Sequence, residues 1–336
     1  MPLHIVARGL RAHERVTATA SLVDLLHERW TSHLTLSADA RGVVRVPMSL
    51  LWSLRHGDAF GPALDALGEI VTVSVEGAER SFRWLPQTRL EFRELRRGFY
   101  GDFFARPHSH GPPVLLFGGS EGGLAAFDEA RLLASRGFPT LALAYFKEPG
   151  LPHTLSRVPL EYFARAARWL AHATHERRVV VYGVSRGSEP ALLLGVHFPQ
   201  LVRGVVALVP DNVVLRSPTV SGPAWTLHGR AIPFQYEPGP PGPAPIPARR
   251  IRVPLFMDCG VVDELWSSCP MAHVLARRHR GRTELLVFED GGHGVGDLEP
   301  NVPQHDPVLE GMNALSNARY RVRGWPKLLA FLRSLE

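Results

Sequence analysis

Cysteine is almost absent. Only Cys259 and Cys269 occur in 336 residues. Two are too few for a disulfide framework or a zinc ribbon, so the expectation is a pair of small, partly buried thiols. Long apolar runs are missing as well. Nothing approaches the roughly 18 residues that cross a bilayer, so no membrane span is expected. Residues 1–17, MPLHIVARGLRAHERVT, carry charges and histidines where a signal peptide needs an apolar core, and a cytoplasmic address follows by default. Acidic residues are the minority, 32 against 38 Lys plus Arg, for a net charge of +6. The arginines are dispersed and no RNP or zinc-finger pattern accompanies them, so nucleic acid is not an expected partner. A solvated basic surface explains the excess, and its field would steer an anionic small molecule. With 45% hydrophobic and 21% charged residues, the balance is that of an ordinary globular protein.

What is present falls into two halves. Residues 1–92 show alternating or β-rich runs, RVTATASLVD, HLTLSADARGVVRVPM and IVTVSVEGAERSFRWL, broken by turns such as Ala40-Arg41-Gly42. This pattern predicts antiparallel strands in a small all-β sandwich, which reads as support and not as a site. Residues 93–336 change rhythm. Strand candidates at 113–117, 140–146, 179–183, 204–209, 254–258 and 284–288 alternate with helical patterns at 124–136, 158–173, 187–197 and 269–279. A last helix is expected over 326–335. Such alternation predicts an α/β domain with a mostly parallel sheet and helices on both faces. FYGDFFARPHSHGPP suits an antiparallel approach to that sheet. The proline-rich stretch 236–250 cannot be helix or central strand, and is expected to cross the C-terminal edge of the sheet.

Within that alternation, VVVYGVSRGSEPALLLG (179–195) sets a strand, a small-residue turn and a helix in immediate succession. Gly183-Val184-Ser185-Arg186-Gly187 fits G-x-S-x-G, the nucleophile elbow, whose flanking positions have no room for side chains. A serine hydroxyl needs a base, and the base needs an acid to orient it. In an α/β-hydrolase these follow in the order Ser, Asp or Glu, His. CGVVDELW, after the 254–258 strand, offers Asp263. EDGGHGVG, after the 284–288 strand, offers His293. Both stand on loops beyond the C-terminal ends of strands, where open parallel sheets mount their sites. Asp258, Glu264 and Asp211 remain alternatives for the acid, His305 remains one for the base, and Asp263 also suits a helix N-cap. An oxyanion hole would use the backbone amide of Arg186 and one amide from FGGSEGG (117–123), from Gly119, Ser120 or Glu121. No Lys-Ser/Thr follows that loop, so a phosphate-binding Walker reading fails. His108 and His110 lack an obvious third ligand, and no metal is expected.

Several long segments together resemble the acyl-CoA thioesterase and bile acid-CoA:amino acid N-acyltransferase family over nearly the whole chain. They are LFGGSEGGLAAFDEARLLASRGFPTLALAYFKEPGLP, VPLEYFARAARWL, GVSRGSE, PMSLLWSL and NALSNARYRVRGWPKLLAFL. The resemblance implies a β-sandwich ahead of an α/β-hydrolase domain that cleaves acyl-CoA thioesters, with Ser185 as nucleophile, Asp263 as acid and His293 as base. It also implies that a cysteine at the elbow goes with transfer to amino acids and a serine with hydrolysis. The expected activity is therefore a serine thioesterase acting on acyl-CoA or an acyl-carrier thioester. It needs no cofactor, CoA being part of the substrate. The alternatives are acyl transfer to an amine or alcohol and, less favoured, a non-catalytic acyl-binding module.

Overall fold

The computed structural model describes residues 4–23, 27, 29–47, 49–52, 54–56, 59–60, 70–83, 89–238, 244–296 and 314–336. The chain divides into two compact units. One comprises the first 87 residues with a stretch ending at Val322; the other comprises Thr88–Leu298 with Arg323–Glu336.

In the first unit, Arg15–Val23 pairs antiparallel with Arg29–Ser37 and with Ile70–Val75, inside a six-stranded sheet. Alternation decides its faces. Val16, Ala18, Ala20 and Leu22 point inward, between exposed Arg15, Thr17 and Thr19. They share one apolar core with Val71, Val73 and Val75, and with Val44 and Val46 of a separate two-stranded sheet. Two antiparallel sheets closing on a common core match the expected sandwich.

The second unit is built on an eight-stranded sheet, labelled here β1 (Glu91–Leu95), β2 (Tyr100–Ala105), β3 (Val114–Phe117), β4 (Thr140–Ala144), β5 (Val179–Val184), β6 (Val202–Leu208), β7 (Leu255–Gly260) and β8 (Thr283–Phe288). Their spatial order is β8-β7-β6-β5-β3-β4-β2-β1. All neighbours from β8 to β4 run parallel, while β2 is antiparallel to both β4 and β1. The boundary expected at 92/93 falls within β1, whose ladder with β2 ties it to this sheet. All six residues of β5 are buried, as expected for a central strand covered on both faces. Each wholly buried valine there contributes about 1.5–3 kcal/mol of apolar transfer.

Among the described residues, the helices against the sheet include α1 (Phe127–Ser135), α2 (Leu160–Ala173), α3 (Ser188–His197) and α4 (Ser268–Arg278). α2 buries Leu160, Phe163, Ala164, Ala167, Leu170 and Ala171, the three-and-four spacing of one helical face. α3 is buried along nearly its whole circumference. A β-carbon at Gly195 would meet Val205 of β6 at 3.1 Å, so glycine lets α3 lie close on the strands behind the elbow.

Three expectations change. The last helix, α5, begins at Ala314 and runs to Arg333. It thus extends well ahead of the expected 326–335 and passes through Pro326, with Trp325, Leu328, Phe331 and Leu332 on its buried side. The proline-rich stretch meets the C-terminal edge only in part. Ile246 donates to Asn212 beyond β6, whereas Pro245–Arg249 line a cleft of about 520 Å3 with Arg277, Arg278 and Arg280 past the other end of α4. Most importantly, Cys259 and Cys269 are not thiols. They form a disulfide with Cα atoms 4.9 Å apart, because α4 folds back beside the end of β7. Two cysteines build no framework, but they suffice for one local clasp, and this clasp encloses the loop bearing Asp263.

Candidate active site

The elbow forms because β5 delivers Ser185 into the left-handed region at φ 52°, and the chain then turns at once into a short 3-10 helix (Ser185–Gly187) and α3. A nonglycine residue there is strained, and such strain persists only where the surroundings over-determine it. They do so through the flanking glycines. A β-carbon at Gly183 would lie 2.1 Å from the Gly187 carbonyl, and one at Gly187 would lie 2.3 Å from the Gly118 carbonyl. The elbow and the loop after β3 thus touch backbone to backbone.

His293, in the short helix after β8, is buried and presents Nε2 2.9 Å from Ser185 Oγ. Its Nδ1 stands 3.0 and 2.9 Å from the two carboxylate oxygens of Asp263. An ionised carboxylate only accepts, so Nδ1 carries the ring proton and donates, leaving Nε2 to accept from the serine hydroxyl. The Asp263 side chain is 1% exposed. It also accepts the amides of Leu265 and Trp266, which fixes its turn. The helix itself starts later, with Ser267 at the N-cap position.

Two of the alternatives for the acid are engaged elsewhere. Asp211 accepts the Val213 amide and Asp258 the Val209 amide. Both ring nitrogens of His293 are already committed to Ser185 and Asp263. His305 lies outside the described residues. His108 and His110 sit exposed in a loop, and among the described residues no three His, Cys, Asp or Glu cluster to hold a metal.

Several contributors were not read from the sequence. Trp266 donates its Nε1 proton to the Val209 carbonyl and sets its ring edge-on to His293, centroids 5.5 Å apart. The Tyr145 hydroxyl sits between the carbonyls of Gly118 and Gly119, at 2.9 and 2.7 Å, and braces the glycine loop. The buried Arg186 guanidinium pairs with Glu189 at 3.1 Å and donates to the Arg216 carbonyl at 2.9 Å. Glu189 in turn accepts from Trp225 and the Leu215 amide. Burial raises the pKa of Glu189, with Arg186 opposing and Asp211 adding to the rise. This buried ion pair thus anchors the segment after β6 to the residue following the nucleophile. Only the adjacent elbow could have drawn attention to it.

No protein-family profile matches the chain. Among curated proteins, it is 30% identical to rat acyl-coenzyme A amino acid N-acyltransferase 2, over 99% of this chain and 94% of that one. It is 24% identical to rat mitochondrial acyl-coenzyme A thioesterase 2, over 97% and 82%. Against mouse bile acid-CoA:amino acid N-acyltransferase the identity is 30%, over 69% of this chain and 62% of that one. Among solved structures, a Klebsiella pneumoniae protein described as a dienelactone hydrolase superposes with a TM-score of 0.50 at 18% identity, over 73% of this chain and 99% of that one. An α/β-hydrolase from a deep-sea metagenome gives 0.50 at 16%, over 73% and 98%. The fold is that of the α/β-hydrolases. The chain belongs to the family of acyl-CoA thioesterases and acyl-CoA amino acid N-acyltransferases.

Proposed function

We propose that this protein is a serine thioesterase that hydrolyses acyl-CoA, or an acyl-carrier thioester, through an acyl-enzyme on Ser185. The observation that carries the reading is the unbroken chain of hydrogen bonds from Ser185 through His293 to Asp263. As Ser185 Oγ attacks the thioester carbon, its proton passes to His293 Nε2, and Asp263 stabilises the imidazolium that results. The oxyanion is received by backbone amides, Arg186 on one side and Gly119 on the other, Gly119 being favoured over Ser120 and Glu121 because its backbone passes against Ser185. Collapse breaks the C–S bond, and His293 returns its proton to the departing thiolate. Water then adds to the ester carbon, giving a proton to His293. When the Oγ–C bond breaks, that proton returns to Ser185 and the carboxylic acid leaves. Nothing in this cycle calls for a cofactor.

One relative that covers almost the whole chain is an N-acyltransferase, and this supports a second reading in which an amine takes the place of water. Acyl-CoA given to the protein alone distinguishes the two. Free CoA and free acid without any added amine support hydrolysis; CoA release only when an amine or alcohol is present supports transfer. A serine-reactive fluorophosphonate that labels the native protein but not Ser185→Ala supports an enzyme, and absence of labelling favours a binding module.

A further inference from the structure

Glu121 carries a side chain for which the cycle above has no task, yet it reaches into the centre of the site. Its Oε1 accepts the Gly119 amide at 2.6 Å, the length of a charge-assisted bond. A β-carbon at Gly119 would lie 3.0 Å from Ser185 Cβ and 3.1 Å from Glu121 Oε2, and one at Gly118 would lie 2.0 Å from Glu121 Oε1. The two glycines therefore form a bed beside the nucleophile that this carboxylate fills. The residue is open to solvent as a whole, but its carboxyl group is turned inward. Loss of water there raises its pKa, and the Glu121 and Gly119 amides, His293 and Lys147 partly offset the rise.

A carboxylate oxygen on the Gly119 amide stands where the oxygen of a tetrahedral adduct would be received. One N–H cannot serve both, and two adjacent negative charges repel. Lys147 offers the carboxylate a second place. Its Nζ donates to the Glu121 carbonyl at 2.8 Å. Its backbone, at φ 59°, is pinned by the bond from Lys147 N to the Pro152 carbonyl and by the neighbouring bond from Gly123 N to the Phe146 carbonyl. The ammonium is thus held beside the residue whose carboxylate must move.

We propose that Glu121 is a displaceable stopper of the acyl site. In the free protein its carboxylate occupies the Gly119 amide; an entering acyl carbonyl turns it out toward Lys147. Its charge then sets how readily a thioester binds, and not how fast the bound acyl group reacts. This rests on the reading of Ser185 as nucleophile. The plainer account is that Glu121 only braces its loop, in which case removing it would lower stability and turnover without easing access.

The test is the second-order rate constant for fluorophosphonate labelling of Ser185 in the native protein and in E121Q, E121A and K147M, with the melting temperature of each. E121Q keeps the shape and loses the charge, so it remains interpretable if E121A folds poorly. Displacing a hydrogen bond to a charged group predicts labelling on the order of 10-fold faster in E121Q and E121A. K147M, lacking the outward partner, should label several-fold slower. With acyl-CoA, the effect of E121Q should fall on KM, which drops, more than on kcat. Equal or slower labelling of E121Q, or a fall in kcat at unchanged KM, overturns the stopper and leaves the Ser185 reading standing. No labelling of any variant overturns the Ser185 reading and the stopper with it.

Discussion

His293 Nε2 lies 2.9 Å from Ser185 Oγ although 108 residues separate them along the chain. Two loops from opposite ends of the β5-to-β8 stretch meet because parallel strands all deliver their C-terminal ends to one rim. The acid arrives the same way, from the loop after β7. Replacing Asp263 by Asn would leave the shape intact but remove the charge and turn one of the two accepting oxygens into an N–H donor, so the His293 tautomer would no longer be fixed. Turnover should fall on the order of 10^3- to 10^4-fold. Asp211→Asn should retain most activity, since Asp211 bonds the Val213 amide. Measuring kcat for both variants checks the assignment, and the opposite ranking would move the acid to Asp211.

Asp211 should show itself in stability instead. Burial raises its pKa and that of nearby Glu189, with Arg186 opposing in both cases. A carboxyl with a raised folded-state pKa holds its proton more tightly folded than unfolded. The benefit is fully present below the unfolded value, near 4, and is lost as pH climbs through the raised folded value. The melting temperature of the native protein relative to Asp211→Asn should therefore drop between about pH 4 and neutrality. A difference that stays flat across that range would contradict the burial argument.

The Cys259–Cys269 bond joins cysteines ten positions apart and closes the loop that holds Asp263. The double variant Cys259→Ser/Cys269→Ser should lose about 2–3 kcal/mol of stability by the loop-entropy account. Its kcat should fall more than its KM rises, because the clasp holds the acid and does not face substrate. Unchanged melting and unchanged kcat would show the bond to be idle.

Much of this arrangement was legible in the sequence because it depends on local pattern. The valine run of β5, the glycines at 183 and 187 and the loops after β7 and β8 are short-range signals, and the strands fell within a few residues of their expected spans. The disulfide was not legible. Whether two cysteines ten residues apart meet depends on how α4 docks, which no local pattern records. The inward turn of Glu121 was hidden for a similar reason. Its backbone was a candidate oxyanion donor, but a carboxylate on Gly119 follows only from the absence of β-carbons at 118 and 119. The Arg186–Glu189 pair has helical i,i+3 spacing, the spacing of an ordinary surface pair; only burial under the segment after β6 makes it structural.

The most direct measurement is the mass of the protein and of its Ser185 peptide, quenched in acid during turnover of an acyl-CoA without any amine. The account predicts an acyl adduct on Ser185, formed together with one equivalent of CoA and lost as free acid. CoA release that persists undiminished in Ser185→Ala, or an adduct carried by a different residue, would contradict it.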